Sequence, residues 1–321
     1  MALPLLLLVG GLLLLWKGAD ILVGGAIGLA ERLGVSQLVV GLTVVAMGTS
    51  APEAAASIAA VLPGRGDIAI GNVYGSNIAN LALVGGFVAL LRPLEIQART
   101  LQREVPAMLA VALLLWPLLH NFQVSRPEGA LLLVVFTALM IYTIRTARIN
   151  GANVAAAQPE LPVAHAHTLT HDIAFVVLGL LGLSVGARMA VYGAAEIGTA
   201  VGLSDAVIGS TIMAVGTSLP ELVTCVIAAA KGHHDISVGN LVGSNIFNTL
   251  LVTGAAGMVR PYTVGARFAG GADFWIMIGV SAGFAGVAIL GGRKINRIGG
   301  VVLLATYAAY IIYLLGFTRT A

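Results

Sequence analysis

The sequence predicts an all-α polytopic membrane protein of ten transmembrane helices, arranged as two inverted five-helix repeats. Three observations carry that prediction. The 321-residue chain is 58% hydrophobic and only 10% charged, with a mean hydropathy of +0.97, too little charge to cover a soluble protein of this length. Apolar stretches of roughly 18 or more residues recur along it, the length needed to cross a hydrocarbon core of ~30 Å. Two polar strings, each embedded in apolar sequence, also occur twice at one fixed separation. The alternating pattern of a membrane β-barrel is absent.

The ten spans run approximately 3–29, 36–61, 67–91, 104–120, 128–147, 171–197, 204–230, 235–258, 271–291 and 297–316. The first apolar run, Leu5 to Leu15, lacks a basic leader and continues into Lys17 and Asp20 without a cleavage site, so it reads as a helix and not a removed signal. The polar stretch Asn150 to His171 separates a first repeat, 1–149, from a second, 171–321, with 150–170 as a cytoplasmic linker. An offset of 168 residues, the distance from Thr49 to Thr217, also pairs Gly41 with Gly209, Glu53 with Glu221, Asp67 with Asp235 and Arg92–Pro93 with Arg260–Pro261. The motif at 41–93 therefore recurs at 209–261. Chance similarity of apolar sequence does not align Gly, Ser, Asn, Pro and Glu.

Five helices per half send the second copy into the membrane from the opposite side. Loop charge then gives the orientation. Arg32, Arg92, Arg99, Arg103, Arg145, Arg148, Lys231, Arg293, Lys294 and Arg297 follow odd-numbered spans, against Arg65, Arg126, Arg260, Arg267 and Arg319 on the other side. The excess places the first group in the cytoplasm and both termini outside a cell (inner) membrane.

The first repeated string is AMGTSAPE, residues 46–53, and AVGTSLPE, residues 214–221. An ionisable group at membrane depth costs several kcal/mol unless it is paired, so Glu53 and Glu221 are candidate functional residues. Pro52 and Pro220 each remove a helical hydrogen bond and strain the turn before them. The carbonyls of Ala46, Thr49, Ala214 and Thr217 are thereby expected to turn inward, level with the hydroxyls of Thr49, Ser50, Thr217 and Ser218. The second string is GNVYGSNIAN, 71–80, and GNLVGSNIFN, 239–248; it puts Ser76 with Asn80, and Ser244 with Asn248, on one helix face. Carboxylate, carbonyl and hydroxyl oxygens form the donor set of hard cations such as Na⁺ and Ca²⁺. Two glutamates neutralise one Ca²⁺, and Na⁺ ions could use the same oxygens in another combination. That sharing is a physical basis for antiport.

Both strings resemble the α-repeats of the cation/Ca²⁺ exchanger superfamily, in particular its prokaryotic sodium/calcium exchangers, and the resemblance covers nearly the whole chain. It implies that Glu53, Glu221 and the carbonyls of Thr49 and Thr217 hold Ca²⁺. It also implies that Ala46, Ser50, Ser76, Ala214, Ser218 and Ser244 hold Na⁺ together with the glutamates, Thr49 and Thr217. Asn80 and Asn248 would line the central cavity, and helices 1 and 6 would slide against the rest to alternate access. Many sodium/calcium exchangers carry an aspartate at one of the positions of Asn80 and Asn248. Asparagine at both leaves the stoichiometry and any role of K⁺ open.

The expected function is a secondary active antiporter exchanging Na⁺ for Ca²⁺ at a midplane site. H⁺ as the coupling ion is the runner-up, and a passive cation channel, which would need a continuous pathway, is a more distant one. No nucleophile–base set, phosphate loop or cysteine–histidine metal site suggests an enzyme. The transported ions are Ca²⁺ and Na⁺ with no cofactor; the partners are these ions and the bilayer, without nucleic acid or an evident obligate protein. Cys225, the single cysteine, excludes an internal disulfide. Asp67 and Asp235 read as helix caps. Asp20 and Arg188, opposite charges at one offset position, suggest an ion pair, and His165, His167 and His171 read as a solvated linker.

Overall fold

Each long apolar stretch folds as a helix, the form that satisfies backbone N–H and C=O groups within one segment when water is absent. The computed structural model describes residues 2–157, 168–202 and 214–317. Its helices are α1 (Ala2–Leu33), α2 (Gln37–Thr49), α3 (Ala51–Val61), α4 (Gly66–Leu91), α5 (Ala98–Leu118), α6 (Arg126–Ala157), α7 (Leu169–Ala200), α8 (Ala214–Thr217), α9 (Leu219–Ala230), α10 (His234–Val259), α11 (Ala272–Leu290) and α12 (Arg297–Phe317). Among the described residues, eight are long and apolar enough to cross a membrane, and α2 with α3 makes a ninth, bent by 44°. The first part of the predicted span 204–230 lies outside the described residues. Helix α6 also runs into the expected linker as far as Ala157, through the good helix formers of Ala155–Ala156–Ala157.

Helices α1 and α7 pack antiparallel along a seam of glycines spaced seven apart: Gly11, Gly18 and Gly25 on one helix, Gly179, Gly186 and Gly193 on the other. A seven-residue repeat keeps one face turned toward the partner, and the missing side chains let backbones touch. A Cβ on Gly11 would lie 2.5 Å from Ala190 N, and one on Gly18 2.9 Å from Leu183 N. Arg32 Nε closes one end of the pair with a 3.1 Å bond to the buried carboxylate of Asp172.

That register corrects the expected Asp20–Arg188 pair. Leu183 faces Gly18 and Ala190 faces Gly11, so Asp20 lies opposite residue 181, about seven residues or ~10 Å of helix from Arg188. Asp20 instead pairs with Lys231 at the end of α9 (2.5 Å) and with Lys17 (3.5 Å).

Four two-residue strands join loops from the two halves: β1 (Leu94–Glu95) pairs with β4 (Lys294–Ile295), and β2 (Gln123–Val124) with β3 (Tyr262–Thr263). Contacts at the offset of 168 recur with the halves exchanged. Arg92 Nη1 donates to Ala230 O and Arg260 Nη1 to Leu62 O. Gln97 Nε2 donates to Asp235 Oδ2 at 2.6 Å, while Gly265 N donates to Asp67 Oδ1 at 2.6 Å. Asp67 and Asp235 therefore staple one half to the other; the caps expected of them are not made, since neither α4 nor α10 has a side-chain cap bond at its start. Helices α4 and α10 are the most buried of the long helices, and the core between them carries the site.

Candidate functional site

Helix α2 stops at Thr49, and Ser50 takes a non-helical conformation with φ −86° and ψ 6°. Ser218 repeats it before α9 with φ −88° and ψ 5°. Pro52 and Pro220 then stand in the first turn of the new helix, where a missing N–H costs nothing. The break puts Glu53 and Glu221 in the first turn of α3 and α9, where backbone N–H groups lack helical partners and the dipole favours an anion. Both acids are buried, 1% and 0% exposed.

The two halves meet at these residues. Ser50 Oγ donates to Glu221 Oε1 at 3.1 Å, and Thr49 Oγ1 to Asn240 Oδ1 at 3.0 Å. Among the described residues, Glu221 Oε2, both oxygens of Glu53, both amide atoms of Asn80 and of Asn248, and Ser218 Oγ are buried without a hydrogen-bond partner. A buried polar atom left this way costs about 1–3 kcal/mol. Carboxylate, amide and hydroxyl oxygens gathered in one place suit a hard cation, which would relieve that cost.

Ser76, Ser244, Asn80, Asn248, Thr49, Ser50 and Ser218 are buried, as is Ala46, while Thr217 is half-buried and Ala214 opens α8. Asn80 and Asn248 stand in π-helical turns, Ala79–Val84 and Asn248–Val252. Such turns add a residue to the helical circuit and re-aim side chains; nothing in the amino-acid pattern announced them. One expected feature is corrected. The carbonyl of Ala46 is not freed by the break, because it accepts the N–H of Ser50 at 3.0 Å, so a cation would have only its second lone pair. In the second copy the Ser218 N–H goes instead to Val215 O, at 3.1 Å.

Sequence reasoning missed a layer beneath the site. Asn72 Nδ2 donates to Ser57 Oγ (2.9 Å) and to Glu53 O (3.1 Å). Asn240 Nδ2 donates to Cys225 Sγ (3.4 Å), and Asn77 Nδ2 to Thr249 Oγ1 (2.9 Å), which links α4 to α10. The signal was available: Asn72 with Asn240, and Ser57 with Cys225, obey the offset of 168 and lie one helical turn from residues already singled out. Of the histidines, His171 lies in the first turn of α7, its N–H on Thr168 Oγ1 at 3.3 Å; His165 and His167 lie outside the described residues.

A membrane-spanning helical fold with two broken helices bringing buried carboxylates and hydroxyls together defines a membrane ion transporter. The family described as sodium/calcium exchanger protein matches residues 3–145 and 171–316, and the chain belongs to it. It is 40% identical to the putative antiporter CaxA of Alkalimonas amylolytica over 94% of this chain and 95% of that protein. It is 34% identical to the sodium/calcium exchanger MaX1 of Methanosarcina acetivorans, over 96% and 97% of the two chains. The fold is similar to that of the sodium-calcium exchanger NCX_Mj, with a TM-score of 0.83, 28% identity, and 98% and 99% of the two chains covered.

Proposed function

We propose that the protein is a secondary active antiporter that moves Ca²⁺ one way against Na⁺ the other, opening one midplane site alternately to each side of the membrane. Glu53, Glu221 and the carbonyls of Thr49 and Thr217 hold Ca²⁺. Na⁺ uses these groups together with Ala46, Ser50, Ser76, Ala214, Ser218 and Ser244, and Asn80 and Asn248 line the cavity. The observation that carries this reading is the pair of buried glutamates linked across the two copies through Ser50, three of whose four carboxylate oxygens have no hydrogen-bond partner among the described residues. Names borne by the relatives support the ions, sodium and calcium.

The architecture proposed is two inverted five-helix repeats, 1–149 and 171–321, joined by a cytoplasmic linker over 150–170, with both termini outside. The exchanged contacts of Arg92 with Arg260 and of Asp67 with Asp235 support it. The glycine seam gives α1 and α7 a common body that slides against the rest, and the two carboxylates make the site neutral with one Ca²⁺ bound. The exchange activity named for the relatives supports a transporter.

The test is ⁴⁵Ca²⁺ uptake into proteoliposomes loaded with Na⁺, beside vesicles loaded with choline at matched pH. Uptake that requires internal Na⁺, and that Glu53→Gln or Glu221→Gln abolishes, is the expected result. Uptake driven by an imposed pH gradient would move the coupling ion to H⁺. Flux with no counter-ion requirement would overturn antiport.

A further inference from the structure

Asn72 and Asn240 occupy matching places, each four residues before a site serine, Ser76 or Ser244, and so on the same helix face as that hydroxyl. Their amide nitrogens make matching bonds, to Ser57 Oγ and Cys225 Sγ. Those two residues lie four positions after Glu53 and Glu221, one turn further along the glutamate helices. Each passes its own proton to a backbone carbonyl of the serine helix: Ser57 to Ala69 O at 3.3 Å, Cys225 to Ser237 O at 3.5 Å. One amide per half thus ties a glutamate helix to a serine helix.

Asn240 has a second set of bonds. Its Oδ1 accepts from Thr49 Oγ1 at 3.0 Å and from Ser244 Oγ at 3.5 Å; the single Thr49 proton is shared between that oxygen and the carbonyls of Val45 at 3.1 Å and Ala46 at 3.4 Å. These hydroxyls come from opposite halves of the chain, and Asn240 itself is fully buried. A hydroxyl has one proton and two lone pairs. It can serve a cation only when its proton points elsewhere, and inside a dry protein a misdirected proton is repelled at full strength. Ser244 has Asn240 Oδ1 as the acceptor that turns its proton away; the same oxygen holds the side chain of Thr49, whose carbonyl the exchange reading assigns to the cation.

We propose that Asn240 is a positioning residue of the cation site: it turns the Ser244 hydroxyl proton away so that the Ser244 oxygen is presented to the transported cation, and it anchors the Thr49 side chain so that the Thr49 carbonyl is held for the same cation. The proposal rests on the exchange reading above. Ser244 belongs to the Na⁺ set and not the Ca²⁺ set, so the effect falls more heavily on Na⁺.

The experiment measures Na⁺ and Ca²⁺ half-saturation from cation-dependent thermal shifts of the purified protein, together with the ion-free melting midpoint. Asn240→Ala is expected to raise the Na⁺ half-saturation by about tenfold, the scale of one hydrogen bond to a charged centre, and that of Ca²⁺ by less. In a Thr49→Val, Ser244→Ala background the same change is expected to do nothing further, because both bonds through which Asn240 acts on the site are gone. Asn240→Asp, which keeps the accepting oxygen and gives up the donor to Cys225, is expected to retain Na⁺ affinity; this variant also carries the test should Asn240→Ala not fold. An additive effect in the hydroxyl-free background overturns the proposal. So does a lowered ion-free midpoint with unchanged half-saturation, or an equal loss in Asn240→Asp and Asn240→Ala. A wild-type protein that responds to neither cation overturns the exchange reading and this proposal together; a wild-type response that Asn240→Ala leaves in place overturns this proposal alone.

Discussion

The seam between α1 and α7 makes a quantitative prediction. Replacing Gly18 by Ala places a methyl carbon 2.9 Å from Leu183 N and 3.0 Å from both Gly179 O and Gly182 C. Carbon contacts are comfortable at about 3.5–4.0 Å, so the helices must part by roughly 0.5–1 Å over that turn. All three obstacles are backbone atoms, which cannot swing aside as a side chain tip can. Overpacking of this kind costs about 1–3 kcal/mol, offset in part by the ~1 kcal/mol that Ala gains over Gly in a helix. Gly24 on the same helix removes the propensity term from the comparison, since a Cβ there meets nothing within 4 Å. The difference between Gly18→Ala and Gly24→Ala therefore isolates the seam at about 1–3 kcal/mol. Gly11→Ala, whose Cβ would come within 2.5 Å of Ala190 N, lies at or beyond the upper end. The assay is the unfolding midpoint in detergent, followed by tryptophan fluorescence, with the order Gly24→Ala highest, then Gly18→Ala, then Gly11→Ala. Equal midpoints for Gly18→Ala and Gly24→Ala would refute the claim that backbone contact holds these helices together.

Arg32→Gln leaves the buried carboxylate of Asp172 with only His171 Nδ1, at 4.0 Å, as an ion-pair neighbour among the described residues, so it should cost about 3 kcal/mol; Asp172→Asn in the same chain should recover much of that loss in the same melt. Breaking the half-exposed pair of Asp20 with Lys231 should cost only about 0.2–1 kcal/mol. The exchanged pair, Asp20→Lys with Lys231→Asp, should restore the midpoint, while Asp20→Lys with Arg188→Asp should not. At the β1–β4 strand pair, Lys294 holds the carboxyl of Glu95 below the usual range through a 2.7 Å bond. A depressed folded-state value means that the contribution is present above the unfolded value near 4.5 and fades as pH falls below it. Melting midpoints measured down through pH 4 should therefore drop less steeply in Glu95→Gln than in wild type.

The site residues were legible because polar strings stand out in apolar sequence, and because each string occurs twice. Their partners were harder to see. Asn72, Asn240, Ser57 and Cys225 obey the same offset, but Cys225 reads as a core residue until Ser57, its counterpart, is seen holding the equivalent bond. The π turns at Asn80 and Asn248 left no trace, since they depend on how a helix accommodates its neighbours and not on its own pattern. The offset itself misled at Asp20: symmetry relates equivalent positions, whereas contact follows from antiparallel register, and the two coincide only near the axis.

The same distinction separates the scaffold from the site. Bonds that hold the halves together come in exchanged pairs, Arg92 with Arg260 and Asp67 with Asp235. At the centre the exchange fails. Ser50 donates to Glu221, yet among the described residues Ser218 and Glu53 make no corresponding bond, and the serine N–H groups choose different carbonyls, Ala46 in one copy and Val215 in the other. A chain with near-duplicate halves can place its asymmetry in either copy at similar cost, because each arrangement is the mirror of the other in sequence. Two states of nearly equal energy around a fixed scaffold are what alternation between the two membrane faces requires. On the proposed reading, the bond from Ser50 to Glu221 belongs to one facing state, and one from Ser218 to Glu53 would belong to the other. Ser50→Ala and Ser218→Ala should then shift the balance of facing states in opposite directions, read as opposite changes in the ratio of Ca²⁺ half-saturation measured from the two sides of oriented vesicles. Shifts of the same sign would place the asymmetry elsewhere.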